Sequence, residues 1–338
     1  MKKTFMRTLA IVLTFCFTFA FSVSAGTAEI IGDIISTNNI GDLVEYDYVN
    51  KTYRTIPASS IPDYASMTTT TYDLERMATE LKALPATALS ADLTTDPLYV
   101  NPNAPFELSP PIINGVKQTP ASGSVFLLIG VDDTRDNNLD GQTDYYERGT
   151  GFLVSPTVMV TVAHAFIKTE STANIVEVRV YAFYHDTISP KFTDDDFVYP
   201  STWIYPTTYP EDIDKDWCIV TLQEPITDAY YYPCTYNRAS VGLTVFNQGY
   251  PKRSDNDYRQ YRSQGKITFI ETEQDFIQHS CTAMGGASGS PLCAYDIGNP
   301  VIVVGIEART GNDGYNFNSA IRITEYIYNC ICDRIEQS

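Results

Sequence analysis

From residue 124 onward the chain breaks into short β-type runs separated by turn residues, and this recurrence limits the fold more than any other feature. The runs are Val125 to Val131, Gly151 to Ser155, Thr157 to Val162, Val176 to Tyr184, Cys218 to Leu222, Leu243 to Phe246, Lys266 to Ile270 and Val301 to Ile306. Val176, Val178 and Val180 alternate with Glu177, Arg179 and Tyr181, the period of a strand with one face buried. Many short strands joined by turns fold into barrels or sandwiches. The chain is 43% hydrophobic and 12% aromatic over 338 residues, enough apolar surface to fill such a core and to exclude global disorder. One helix is expected at the C-terminal end, where Ile327, Ile331 and Ile335 share a face with Cys330.

The segment before the strands reads differently. Lys2, Lys3 and Arg7 precede an uncharged apolar stretch from Leu9 to Phe21, and Val23, Ser24 and Ala25 follow with small residues. This is the pattern of a secretory signal cleaved after Ala25, too short to serve as a membrane anchor, so export without stable membrane insertion is expected. Residues 26–111 hold few strand-like runs and one helical pattern, Tyr72 to Leu84, with Leu74, Met77, Leu81 and Leu84 on one face and Pro85 as its stop. A short helical unit before the turn-rich stretch ending at Pro110 and Pro111 suggests a pro-segment, with the main domain over 112–338.

Acidic residues outnumber basic ones, 41 to 23, for a net charge of −18, which argues against binding a nucleic-acid backbone. With Cys16 inside the signal, Cys218, Cys234, Cys281, Cys293, Cys330 and Cys332 remain. Their even number permits disulfides in an exported chain, with the pairing open, and their spacing is not that of a zinc site. Cys218 lies in an apolar run, where a buried free thiol is the plainer expectation.

Three short segments carry the chemistry. His164 closes the run Thr161-Val162-Ala163, Asp216 opens the apolar run Trp217 to Val220, and Ser288 sits within Gly285-Gly286-Ala287-Ser288-Gly289-Ser290-Pro291. Acyl transfer needs a nucleophile, a base and a carboxylate that holds the base's tautomer. It also needs backbone N–H groups aimed at the developing oxyanion, which a glycine-flanked serine turn can present. Each segment alone has an ordinary structural reading. Together, in the order His, Asp, Ser, they match one of the known orders of a catalytic triad.

These segments resemble the chymotrypsin-fold serine proteases, and among them the secreted bacterial glutamyl endopeptidases. The matching stretches are Gly149 to Val154, Thr161 to His164, Asp216 to Val220, Gly249 to Pro251, Gln264 to Ile267, Gly285 to Leu292 and Val304 to Ile306. The resemblance spans roughly residues 112–332 and implies two six-stranded antiparallel β-barrels, an all-β fold, with the site between them. It implies His164 as general base, Asp216 as its orienter, Ser288 as nucleophile and the N–H groups of Gly286 and Ser288 as oxyanion hole. The expected activity is that of a monomeric serine endopeptidase made as a zymogen, acting on polypeptides with no catalytic cofactor. Ile112 to Gly115 looks like the mature N-terminus of the animal enzymes, but Ala287 replaces the aspartate that such an N-terminus would pair with.

In the glutamyl branch a pocket histidine follows a Gly-Ile pair; here Glu307 follows Gly305 and Ile306. With Thr282 and Ala283 as the pocket floor, Glu307 either favours Lys or Arg before the scissile bond or pairs with Arg309 and leaves the pocket nearly neutral. Either way a glutamate side chain is disfavoured, because like charges repel most where water is excluded.

Between two of the strands lies a further pattern. Asp136, Asn138, Asp140, Gly141, Asp144 and Glu147 stand at positions 1, 3, 5, 6, 9 and 12 of a twelve-residue calcium-loop pattern, with Gln142 at the backbone-ligand position. No helical pattern flanks it, so a structural Ca2+ loop outside an EF-hand is expected. The run Asp194 to Asp196 reads as solvated surface. Against an enzyme stand two other classes: a catalytically silent protease-like binding domain and a calcium-dependent surface-binding protein. A histidine base acts only when neutral, so peptidase activity is expected to fall below roughly pH 6; a rate that holds flat to pH 4.5 would speak against His164 as the base.

Overall fold

The computed structural model describes residues 41–66, the backbone of 107–108, 112–113 and 116–117, and residues 123–338 apart from 133–140, 168–173, 183–196, 228, 253–257, 272–274, 295–300 and 310–317. The expected signal and the Tyr72 to Leu84 helix lie outside these residues. In chain order the strands are β1 (Leu43–Asp47), β2 (Thr52–Ile56), β3 (Glu107–Leu108), β4 (Ile112–Ile113), β5 (Val116–Lys117), β6 (Ser124–Asp132), β7 (Tyr145–Leu153), β8 (Val158–Thr161) and β9 (Asn174–Ala182). They continue as β10 (Pro200–Pro206), β11 (Cys218–Leu222), β12 (Thr244–Gly249), β13 (Tyr261–Glu271), β14 (Phe276–His279), β15 (Pro291–Ala294), β16 (Ile302–Arg309) and β17 (Asn318–Arg322), and helix α1 (Glu325–Gln337) follows.

Two antiparallel sheets account for nearly all of this. In the second sheet the order β12-β15-β16-β17-β14-β13 closes on itself through β12–β13 pairing, making a six-stranded barrel with β3 added on β13. Its core is Val245, Ile267, Ile277, Leu292 and Val304, all within 1% of full burial. The first sheet has eight strands rather than the six expected, in the order β2-β1-β10-β11-β8-β7-β6-β9. Every residue of β6 is buried, which its unbroken apolar run from Val125 to Ile129 anticipates. On β9, Val178 and Val180 are buried as the alternation predicts, but Arg179 is buried too, held by Glu177 at 2.8 Å and stacked on Phe197. Helix α1 starts where the Thr324 hydroxyl caps the Ile327 N–H at 3.2 Å, and it buries Ile327, Cys330 and Ile331. Among the described residues no helix is long and apolar enough to cross a membrane.

The two sheets meet along β6 and β12–β13. Phe126 of β6 packs against Tyr250, which follows β12, at 5.4 Å between ring centroids. Beside it runs a buried polar seam. The Ser124 hydroxyl donates to Gln248 O, the Gln248 amide donates to Gln260 Oε1, and the Gln260 amide returns to Ser124 O. Such a closed loop fixes the register of one sheet on the other, because each member satisfies the next. Cys218, Cys234, Cys281, Cys293, Cys330 and Cys332 are free and buried. Burial pushes the Cys332 and Cys330 thiols up to about 11 and about 12, and it raises Cys218 as well.

The two extra strands come from within the stretch expected to be a pro-segment. β1 pairs with β10 over five residues, from Leu43↔Pro206 to Asp47↔Thr202, and buries Leu43 and Val44. Trp203 stacks with Tyr46 and Tyr48 of the hairpin and with Phe166. The hairpin also grips α1. Arg334 pairs with Glu45 where both side chains are 6% exposed, Asn329 bonds Ala65 N and the Asp63 carboxylate, and Tyr326 donates to Gly41 O. Burial works to raise the Glu45 pKa, but Arg54 and Arg334 outweigh it and hold the carboxyl below its ordinary value. A depressed carboxylate contributes stability that is full above the unfolded pKa and lost as the pH falls through the folded one. Glu45→Ala leaves the Arg334 guanidinium buried without its partner, an expected loss of about 3–5 kcal/mol. Urea titration of wild type and variant at pH 7 and pH 4 checks both points: the gap between them should narrow in acid.

Candidate active site

His164 and Asp216 converge because two paired strands end together. β8 pairs with β11 so that Thr161 lies opposite Cys218. The chain turns after Thr161 into a single 3-10 turn, Ala163–Ala165, that carries His164, while Asp216 stands two residues before β11. The Asp216 carboxylate, on a residue 4% exposed, accepts twice from His164: Oδ1 from the backbone N–H at 2.8 Å, and Oδ2 at 2.7 Å from ring Nδ1. With Nδ1 committed to the carboxylate, the proton-accepting nitrogen is Nε2. The ring itself is 39% exposed and accessible to a substrate.

Ser288 sits between two glycines at which a side chain would be strained. Gly286 has φ +89° and Gly289 φ +87°. A Cβ on Gly289 would collide with Thr150 O and the Thr161 hydroxyl, and one on Gly286 would come within 2.7 Å of Tyr250 O. The tight turn is closed by Ala287 N bonding Met284 O and Ser290 N bonding Ala287 O, both at 2.9 Å. β16 backs it, with Gly289 N donating to Glu307 O at 2.7 Å and Glu307 N to Ser290 O at 2.8 Å.

Thr150, fully buried on β7, joins these pieces, and sequence reasoning passed over it. Its N–H donates to Ser288 O (2.9 Å) and its hydroxyl donates to Gly286 O (2.8 Å) while accepting from Tyr250 N (3.0 Å). Its carbonyl accepts from the Thr161 hydroxyl (2.7 Å), three residues before His164. The nucleophile turn of one sheet is thereby tied to the histidine turn of the other. Among the described residues the hydrogen bonds join His164 to Asp216 and the Ser288 backbone to Thr150.

A family model for the trypsin-like peptidase domain matches residues 149–306, the stretch that runs from just before Thr150 through Ser288 to the residue before Glu307. The match covers just under half of the chain. Solved structures similar to the chain include a Glu endopeptidase (17% identity, 63% of this chain and 90% of that one, TM-score 0.49). Others are an inactivated protease paralogue of the scabies mite (15%, 64% and 95%, 0.47) and the protease Anisep from Arthrobacter nicotinovorans (12%, 64% and 98%, 0.48). No curated protein matches the chain by sequence.

The structure arranges the expected pocket residues in a way that corrects one reading. Glu307 does not pair with Arg309, whose guanidinium goes to Asp214 at 3.3 Å and to Ile213 O. Glu307 is 1% exposed and faces His279, fully buried, with 2.9 Å between Oε2 and Nε2. The approach lies off the N–H direction, so it is an ion pair more than an aligned hydrogen bond. Asn247, also buried, donates to the same carboxylate oxygen at 3.2 Å and to Thr282 O at 3.4 Å, which gathers Thr282 and Glu307 about one side chain. Ala283 is half-buried beside Thr282. Burial disfavours the charged His279 ring, but the Glu307 carboxylate outweighs it and holds the pKa up at about 10. His279 and Asn247 had no sequence signal beyond the scarcity of histidine.

The expected calcium loop is described only in part. Asp136, Asn138 and Asp140 lie outside the described residues. Gln142 is exposed at the hairpin tip and Asp144 is half-buried at its mouth, whereas Glu147 is inside β7 opposite Ile129. Among the described residues, no three His, Cys, Asp or Glu side chains gather to hold a metal.

Two outcomes follow from this geometry. Thr150→Val keeps the shape but removes one donor and one acceptor from a buried site, so about 1–3 kcal/mol of stability is expected to go, together with most of kcat. Denaturant titration and steady-state kinetics on one preparation check this. His279 holds its proton more tightly folded than unfolded. The stabilisation is therefore complete below about pH 6.5 and lost as the pH rises toward about 10. Stability measured from pH 6 to 10 should fall more steeply in wild type than in His279→Gln.

Proposed function

We propose that the chain is a secreted serine endopeptidase, made as a zymogen, whose eight-stranded sheet takes the part of the first barrel of a chymotrypsin-like pair. The observation that carries this reading is the double acceptance by Asp216 from His164, an arrangement that serves to fix an imidazole as a base. Ser288 Oγ attacks the scissile carbonyl as His164 Nε2 takes its proton. The carbonyl π pair moves onto oxygen, where the N–H groups of Gly286 and Ser288 receive the charge. Collapse breaks the C–N bond, and the imidazolium returns its proton to the departing amine. Water then repeats the sequence on the Ser288 ester and frees the acid and the serine. The family match supports the peptidase assignment, and the glycine-flanked turn supports the oxyanion hole.

The substrate side chain next to the scissile bond is neutral in this reading. Glu307 already has a counter-charge in His279, so it offers no unpaired carboxylate to Lys or Arg, and a glutamate would face a carboxylate. A serine-directed fluorophosphonate is expected to label wild type and to leave Ser288→Ala and His164→Ala unlabelled. Labelling that persists in Ser288→Ala removes the site assignment, and no labelling of wild type sinks the enzyme reading and favours a silent binding domain. Digestion of a peptide library is expected to show cuts after neutral residues, and cuts chiefly after Glu would overturn the pocket assignment alone.

A further inference from the structure

The carboxylate behind the nucleophile turn is only half engaged. Glu307 of β16 is tied to that turn through its backbone, its N–H donating to Ser290 O at 2.8 Å and its carbonyl accepting from Gly289 N at 2.7 Å. Its side chain, 1% exposed, lies between His279 of β14 and Asn247 of β12. One oxygen, Oε2, takes both partners, at 2.9 Å from His279 Nε2 and 3.2 Å from Asn247 Nδ2. The other, Oε1, is buried and has no hydrogen-bond partner among the described residues. A desolvated carboxylate oxygen is costly unless a donor meets it.

A second acceptor stands beside it. Asn247 Nδ2 donates to Thr282 O at 3.4 Å as well as to Glu307, so one nitrogen lies within reach of both the carboxylate and that carbonyl. Thr282 and Ala283, half-buried, run into the turn through Met284, whose carbonyl accepts from Ala287 N. A substrate side chain entering here meets acceptors whose negative charge is already countered by His279. Lysine or arginine would add a second cation beside that ring, and glutamate a second carboxylate. An apolar side chain would leave Oε1 without a donor, and a hydroxyl offers a single O–H on a short stem. A primary amide carries no charge, and its two N–H groups match two neighbouring acceptors. We infer that Glu307 Oε1 is the acceptor that selects the residue before the scissile bond, and that this residue is glutamine, whose amide reaches the pocket floor on two methylenes. The inference rests on the peptidase reading above and narrows its neutral side chain to one chemistry.

Fluorogenic peptides of one sequence that differ only in that residue test it: glutamine, its near-isostere methionine, glutamate and lysine. Wild type is expected to show kcat/KM for the glutamine peptide at least about tenfold above the methionine peptide, because the analogue without a donor leaves Oε1 buried and unmet. In Glu307→Gln the carboxamide oxygen stays with the Asn247 donor, so its NH2 takes the place of Oε1 and turns the acceptor into a donor. The ratio of glutamate to glutamine cleavage should then rise at least about tenfold, whereas a loss of packing alone would lower both rates together. Equal rates for glutamine and methionine in wild type, or faster cleavage after methionine, glutamate or lysine, overturns the inference and leaves the enzyme reading standing. An unchanged ratio in Glu307→Gln overturns the choice of Glu307. Should that variant fail to fold, Glu307→Met decides: the glutamine preference over methionine should fall to within about twofold of parity, and a preference that survives refutes the assignment. Wild type that a fluorophosphonate labels but that leaves the glutamine peptide uncut overturns the inference alone, and wild type that neither labels nor cuts removes the enzyme reading and the inference with it.

Discussion

Thr150 is the joint on which the site depends. Three of its atoms make four hydrogen bonds, two to the nucleophile turn, one to the strand end after β12 and one to the strand that leads to His164. A catalytic group is useful only if it is held within a fraction of an ångström of its partners, and packing between two sheets does not give that by itself. The aromatic contact of Phe126 with Tyr250 supplies area, the Ser124–Gln248–Gln260 loop supplies register, and Thr150 passes that register on to Ser288. The two left-handed glycines belong to the same joint, because they allow the turn to come close enough for Thr150 to reach it.

Much of this was legible in the sequence, unevenly. β6, β9 and β11 were read from apolar runs and alternation, since their burial is set by neighbours on both sides and leaves a clear pattern. β10 was missed: it begins and ends with proline and its interior mixes Trp203 and Tyr205 with polar residues. β14, β15 and β17 are four or five residues long, too short for periodicity to show. His164, Asp216 and Ser288 were recognised from their flanking residues, and the first two meet as expected. What no pattern reveals is partnership across the fold. Thr150 stood inside a matching motif without appearing more than a spacer, and of the two readings of Glu307, facing the pocket or pairing with Arg309, neither named His279, its partner from another strand.

The buried pairs show how an acidic chain spends its few bases. Glu307 with His279, Glu45 with Arg334 and Glu177 with Arg179 each place a carboxylate against a cation in the interior. Such pairs add little net stability compared with apolar side chains, but each is intolerant of losing one member. They therefore specify one arrangement. Asp132 differs in having no cation of its own among the described residues.

The hairpin at residues 41–66 gives the chain an unusual closure. Its strands lie against β10 and its carboxylates hold the last helix, so the beginning and the end of the described fold are clasped together, with residues 67–122 between them in sequence. A single cut in that connecting stretch would not release a propeptide. It would yield a heterodimer of a short and a long chain sharing one sheet, with no disulfide between them, and both would have to be co-purified or co-expressed for the mature molecule to be reconstituted.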